Sequence, residues 1–160
     1  MEPNFHQVAM YCGSIGGIEH SVKEFKQMGF TNWTFDVAEL DGVIGGVPAL
    51  AIGYMAFNYD ILPGIEYELL AYDGKTRWDG EPIFHGERFI SHISYHVENL
   101  EAEMADLLTL YGPPVQVFET HNHTNEHIKG KKRFKEAIFN TRKQFGHDIK
   151  LIERIPWGDG

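Results

Sequence analysis

Apolar and polar residues follow one another along this chain in an order that repeats once. Residues 5–12 form a strand-like apolar segment, and residues 18–28 carry a helical apolar stripe that stops near Gly29. The stripe consists of Ile18, Val22, Phe25 and Met28. Three further strand-like segments follow at 33–40, 49–59 and 65–72, with turn signals at Asp41-Gly42 and Gly45-Gly46. The first half therefore predicts the order β-α-β-β-β.

The second half has the same order of segments. Residues 90–97 predict a strand, and Asn99 is placed to cap a helix that ends at Gly112. The apolar stripe of this helix consists of Leu100, Met104, Leu107, Leu108 and Tyr111. The remaining strand-like segments are 115–119, 134–140 and 148–155, and the polar stretch 121–132 predicts a loop.

Two such units predict an α+β fold, because one small sheet cannot bury its own apolar face and must pack against another layer. We expect two βαβββ modules that pair into a curved, mixed β-sheet and leave a cleft between them. The modules are predicted at residues 5–73 and 90–155, with a linker at 74–89, inside a single domain of residues 1–160.

Composition narrows the class of ligand. The formal net charge of −9 disfavours nucleic acids and anionic membranes, because phosphate groups need a basic surface. No apolar segment is long enough to cross a membrane, and the N-terminal residues lack the pattern of a signal peptide. Cys12 is the single cysteine, which excludes an intramolecular disulfide and a cysteine zinc cluster. We expect a cytoplasmic protein that binds a small molecule.

Four segments carry a resemblance to the vicinal oxygen chelate superfamily, which includes glyoxalase I, extradiol dioxygenases, and fosfomycin and bleomycin resistance proteins. The segments are residues 5–8, 65–70, 91–97 and 145–153. The resemblance extends over residues 5–155 and implies the glyoxalase-like fold; a homodimer is compatible with it. In the metalloenzymes of this superfamily the ligands come from the first and last strands of each unit. The matching positions here are His6, Glu68, His92 and Lys150.

Strand alternation supports the first three positions independently. The residues expected on the cleft side are His6, Val8 and Met10, then Glu66, Glu68 and Leu70, and lastly His92, Ser94 and His96. Two imidazoles and a carboxylate suit Fe(II), Mn(II), Ni(II) or Zn(II) and leave positions open for substrate or water. His6, Glu68 and His92 are therefore the predicted ligands of a divalent metal ion.

Lys150 departs from the pattern of the superfamily, whose metal-binding members usually have glutamate there. A protonated lysine does not bind a metal and repels a cation. Either the site uses three ligands, or it has lost its metal. If the metal is present, Lys150 is the predicted catalytic residue that orients or protonates the substrate. The alternative is a solvated or salt-bridged lysine, with Glu66 as a candidate partner across the cleft.

Two functions follow from these residues and the resemblance. The first is a metal-dependent enzyme, a lyase, isomerase or dioxygenase, that acts on a small oxygen-chelating substrate. The alternative is a non-catalytic, resistance-type protein of the same fold that sequesters a cationic ligand. His121, His123 and His127 have a spacing that allows a metal, but their polar surroundings favour a loop or a lid over the cleft.

Overall fold

The computed structural model describes residues 4–74, 88–122 and 133–155. The first module consists of β1 (Asn4–Tyr11), α1 (Ile15–Gln27), β2 (Thr34–Ile44), β3 (Val47–Asn58) and β4 (Glu66–Gly74). The second consists of β5 (Phe89–His96), α2 (Leu100–Tyr111), β6 (Gln116–Asn122), β7 (Arg133–Phe139), α3 (Arg142–Phe145) and β8 (Asp148–Ile155). The α+β class and the repeated order are confirmed. Most of the predicted linker, residues 74–89, lies outside the described residues.

The eight strands close into a barrel in the order β1-β4-β3-β2-β6-β7-β8-β5. Within each module the first and last strands pair in parallel, β1 with β4 and β5 with β8. The modules meet at two antiparallel seams, β1 with β5 and β2 with β6. The curved sheet therefore closes on itself, and the side chains that face inward from both modules share one interior.

The two longer helices begin and end where the sequence predicts. Ser14 accepts a hydrogen bond from the Gly17 amide at the start of α1, and Asn99 accepts one from the Ala102 amide at the start of α2. Helix α1 packs outside β3 and β4, and α2 packs outside β7 and β8. Among the described residues, no helix is long and apolar enough to cross a membrane.

The β2–β3 hairpin turns at Gly45-Gly46, where both residues have positive φ, and the predicted turn at Asp41-Gly42 is wrong. Gly42 instead lies within β2, opposite Ala49 on β3 and Phe118 on β6. A Cβ atom built on Gly42 would lie 2.0 Å from the carbonyl oxygen of Val117. The glycine is needed for the close approach of the two modules.

The predicted inner face of β1 is correct for His6 but wrong for Val8 and Met10. Ala9 and Tyr11 belong to the apolar cluster inside the barrel, whereas Met10 packs outside in the cluster that contains α1. The pairing of β1 with β5 shifts register between Phe5 and Gln7. Because of this irregularity His6 and Gln7, which are neighbours in the chain, both line the interior cavity.

Candidate functional site

A cavity of about 270 Å³ lies inside the barrel and is lined by side chains from both modules. Of the ionisable side chains that line it in the described part of the chain, four are carboxyl groups: Asp36, Glu66, Glu68 and Glu136. Lys150, Arg154 and His6 are the basic ones. Aromatic and aliphatic side chains make up most of the remaining wall. This is the size and composition of a site for a small molecule.

Glu66 is held by three side chains. Tyr59 donates its hydroxyl hydrogen to Oε1 at 2.8 Å, and the Gln7 amide donates to Oε2 at 2.6 Å. His6 Nε2 lies 3.2 Å from the same Oε2. Burial raises the pKa of the Glu66 carboxyl, but the hydrogen bonds from these partners, His6 first, bring it below its usual value. Glu66 is therefore an ionised carboxylate with its oxygens already engaged.

Gln7 connects Glu66 to a fully buried histidine. Its Oε1 accepts hydrogen bonds from His92 Nε2 at 2.9 Å and from the Ser94 hydroxyl at 3.0 Å. Burial, with Lys150 as a second cause, lowers the pKa of His92 well below the usual histidine value. His92 is therefore neutral, carries its proton on Nε2, and fixes the orientation of the Gln7 amide.

Glu68 is buried in the wall of the cavity, and its Oε1 lies 3.7 Å from His92 Nε2. Burial raises the pKa of this carboxyl to about 8, with Lys150 opposing the rise and Glu66 and Glu136 adding to it. Glu68 therefore exchanges its proton near neutral pH. A carboxyl group with this property inside a cavity is a strong candidate for acid–base chemistry.

Lys150 lies 3.0 Å, from Nζ to Oε1, from Glu136 on the neighbouring strand β7. The predicted pairing of Lys150 with Glu66 is wrong, because Glu66 is engaged by His6, Gln7 and Tyr59. Burial alone would lower the pKa of Lys150, but the charges of Glu136 and then Glu68 raise it above the usual lysine value. The cavity therefore contains a permanent ammonium group.

The predicted metal ligands are engaged with other side chains. His6 pairs with Glu66, and His92 donates to Gln7, while the fourth position holds the ammonium of Lys150. In residues 4–74, 88–122 and 133–155, no three His, Cys, Asp or Glu side chains are arranged to hold a metal ion. The donor set as it stands does not fit a divalent cation. Ligation by His6, Glu68 and His92 would require these pairs to open, and it stays a prediction.

Sequence reasoning missed Gln7 and Glu136. The signal for Glu136 is present in the alternation of β7, where Phe134 and Glu136 both line the cavity. Of the predicted histidine loop, His121 lies in β6, opposite Glu39 of β2, so that part of the loop prediction is wrong. His123 and His127 lie outside the described residues.

The sequence matches no protein-family model and no curated protein. Among solved structures, methylmalonyl-CoA epimerase from Mycobacterium tuberculosis is similar, with a TM-score of 0.50 and 14% identity over 96% of this chain and 89% of that one. A variant of the Streptomyces coelicolor methylmalonyl-CoA epimerase, in complex with 2-nitronate-propionyl-CoA, has a TM-score of 0.51 and 15% identity over 96% and 99%. Methylmalonyl-CoA epimerase is a vicinal oxygen chelate protein, so the fold of this chain is the glyoxalase-like fold that the resemblance implied.

Proposed function

We propose that this chain is an enzyme that transfers a proton on a small carbonyl compound held inside the barrel, as an isomerase or a lyase. Glu68 is the acid–base group, and Lys150 stabilises the negative charge that develops on the carbonyl oxygen. One observation carries the proposal: a buried carboxyl, with a pKa of about 8, shares a cavity with a permanent ammonium. The fold alone would not support this function, because one fold hosts many activities.

The proton transfer needs only these two groups. In its carboxylate form, Glu68 removes a proton from the carbon next to the carbonyl, and the C–H electrons pass into an enolate. An N–H of Lys150 donates a hydrogen bond to the enolate oxygen and keeps its own proton. Glu68 then returns the proton to carbon, which gives the isomer, or the enolate expels a leaving group. Glu136 holds the ammonium in place at 3.0 Å throughout.

The comparisons are compatible with this general kind of reaction but do not identify a substrate. The similar solved structures are named as epimerases, which are isomerases. At 14% and 15% identity the likeness concerns the fold, so the substrate in their names is not transferred to this chain.

Metal dependence is kept as a separate prediction. The predicted ligands are His6, Glu68 and His92, whose present pairs would have to open. Metal analysis of the purified protein, followed by calorimetric titration with Mn²⁺, Ni²⁺ and Zn²⁺, tests this prediction. Binding that is lost in His92→Ala supports it. The absence of any binding leaves the ammonium of Lys150 as the electrophile.

The alternative function is binding without chemistry, as in a resistance-type protein. The observation in its favour is the composition of the cavity, where carboxyl groups outnumber permanently cationic side chains. Such a cavity suits a cationic ligand, which the protein would sequester.

Deuterium exchange separates the two functions. The protein is incubated in D₂O with a panel of small ketones, aldehydes and 2-oxo acids, and loss of the C–H signal is followed by NMR. The enzyme proposal predicts exchange into at least one compound, with a loss of about 100-fold or more in Glu68→Gln. Glu119→Gln, on the outer face of β6, is the matched control. Binding of a compound without exchange, or exchange that persists in Glu68→Gln, contradicts the proposal.

A further inference from the structure

Two polar atoms in the cavity wall have no hydrogen-bond partner among the described residues. They are Oε2 of Glu136 and Oγ1 of Thr120. Glu136 is 5% exposed and Thr120 is 9% exposed, and both side chains line the cavity. Buried polar atoms of folded proteins are almost always paired, because an unpaired one is destabilising. Two of them in one cavity point to a ligand that supplies the missing hydrogen bonds.

The two atoms come from neighbouring strands. Thr120 on β6 lies opposite Phe134 on β7, and Glu136 lies opposite Phe118. Thr120 and Glu136 are therefore diagonal neighbours on the inner face of the barrel. One group on a ligand is able to reach both, and the two phenylalanine rings that line the cavity beside them provide aromatic faces.

The charges around this pair favour a cation. The Lys150 ammonium contacts only Oε1 of Glu136, so Oε2 remains as a charged acceptor. A carboxylate has about four lone-pair sites and accepts from a different donor on each oxygen. Aromatic faces also attract ammonium groups.

We propose that the molecule bound in the barrel carries a protonated primary amine, which donates hydrogen bonds to Oε2 of Glu136 and Oγ1 of Thr120. This inference rests on the small-molecule cavity of the proposed function and names the class of ligand. In the enzyme the substrate is then an amine-bearing carbonyl compound. In the alternative function the amine itself is the sequestered ligand.

Calorimetric titration of the full chain tests the inference. The aromatic probes are benzylammonium, benzyl alcohol and benzoate. The aliphatic probes are ethylammonium and butylammonium, each compared with its alcohol. We expect at least one ammonium probe to bind, and its alcohol and carboxylate counterparts to bind at least tenfold more weakly. Thr120→Val should weaken ammonium binding several-fold, and Thr120→Ser, which keeps the hydroxyl, should restore it. Glu136→Gln should weaken binding by about tenfold or more, whereas the outward-facing Glu119→Gln should not.

Glu136→Gln also removes the partner of Lys150, so circular dichroism must first show that the variant folds. If it does not fold, the Thr120 variants decide the outcome, because they leave the ion pair intact. The inference is overturned if no ammonium probe binds, if alcohols bind equally well, or if Thr120→Val has no effect. Calorimetry does not require turnover, so failed amine binding is distinct from a failed proton-transfer reaction.

Discussion

Inside the barrel, Nζ of Lys150 lies 3.0 Å from Oε1 of Glu136, and each side chain is only 6% exposed. Two charges removed from water in this way stabilise a fold weakly, because desolvation offsets their attraction. The position of this ion pair in the cavity says more about function than its contribution to stability does. Lys150 occupies the position where the resemblance implies a metal ligand. Its ammonium group, held by Glu136, therefore provides positive charge in that part of the cavity.

Loss of one partner of this pair should be costly. Lys150→Met leaves Glu136 buried without its counter-ion, and we expect the free energy of unfolding to fall by about 3–5 kcal/mol. The double variant Lys150→Met with Glu136→Leu should recover most of that loss, because no buried charge remains unpaired. Urea denaturation measures both. Glu24→Gln, which removes the exposed partner of the half-buried Arg88, is the control and should change little. A double variant no more stable than the single one contradicts the pairing.

Glu68 should make stability depend on pH. Its pKa is raised from 4.5 to about 8 in the folded protein, so between these values the folded protein keeps a proton that the unfolded chain releases. The free energy of unfolding should therefore fall as pH rises through this window, by up to about 1.4 kcal/mol per pH unit, and then level off. Glu66 contributes to the pH dependence of the free energy of unfolding below this pH window, because its pKa is lowered.

Glu68→Gln removes this proton, so the variant should gain stability relative to the wild type as pH rises through the same window. Urea denaturation of both proteins at a series of pH values checks the prediction. Two stability curves that run parallel across the window would show that Glu68 is ionised in the folded protein.

Gln7 should be required for the buried state of His92. Gln7→Ala removes the acceptor for His92 Nε2 and Ser94 and a donor to Glu66, and we expect a loss of about 1–3 kcal/mol in the free energy of unfolding. We expect the buried Nε2 proton of His92 to give a protected NMR signal in the wild type and to exchange rapidly in the variant. Gln27→Ala, at the exposed end of α1, is the matched control. A His92 signal that survives in Gln7→Ala would contradict the assigned network.

Gly42 should be essential where the two modules join. Gly42→Ala places a Cβ atom 2.0 Å from the Val117 carbonyl oxygen, and we expect the free energy of unfolding to fall by about 3 kcal/mol or more. Gly53→Ala, on the adjacent strand β3, meets its nearest neighbour, Leu40, at an ordinary 3.5 Å and should be tolerated. Thermal denaturation of the two variants provides the test, and equal melting temperatures would argue against the close contact of β2 with β6.

Much of the fold follows from local pattern. The cap Asn99, the alternation of β4 and most of the helix stripes are visible in the sequence because each depends on residues a few positions apart. Met28 and Leu108 are exceptions, since both are exposed. The alternation of β4 correctly puts Glu66 and Glu68 on the cavity side.

The remaining features of the fold and of the site depend on contacts between residues that are far apart in the chain. The shift of register in β1 between Phe5 and Gln7 arises from its pairing with β5, and it lets His6 line the cavity beside Gln7. The partner of Lys150 is decided by the register of β7 against β8, and the closure of the barrel by the β2–β6 seam. None of these pairings has a short-range signal, so the sequence identified His6, Glu68 and Lys150 but neither Glu136 nor the way in which these side chains pair.

The most direct test of the proposed site is the protonation state of Glu68. Carbon-13 NMR titration of the glutamate carboxyl groups, in the wild type and in Glu68→Gln, resolves this single side chain. We predict one carboxyl resonance that titrates near pH 8 and is absent from the variant. If every glutamate carboxyl of the wild type titrates in the ordinary acidic range, Glu68 is not the buried acid–base group described here, and the proton-transfer function fails with it.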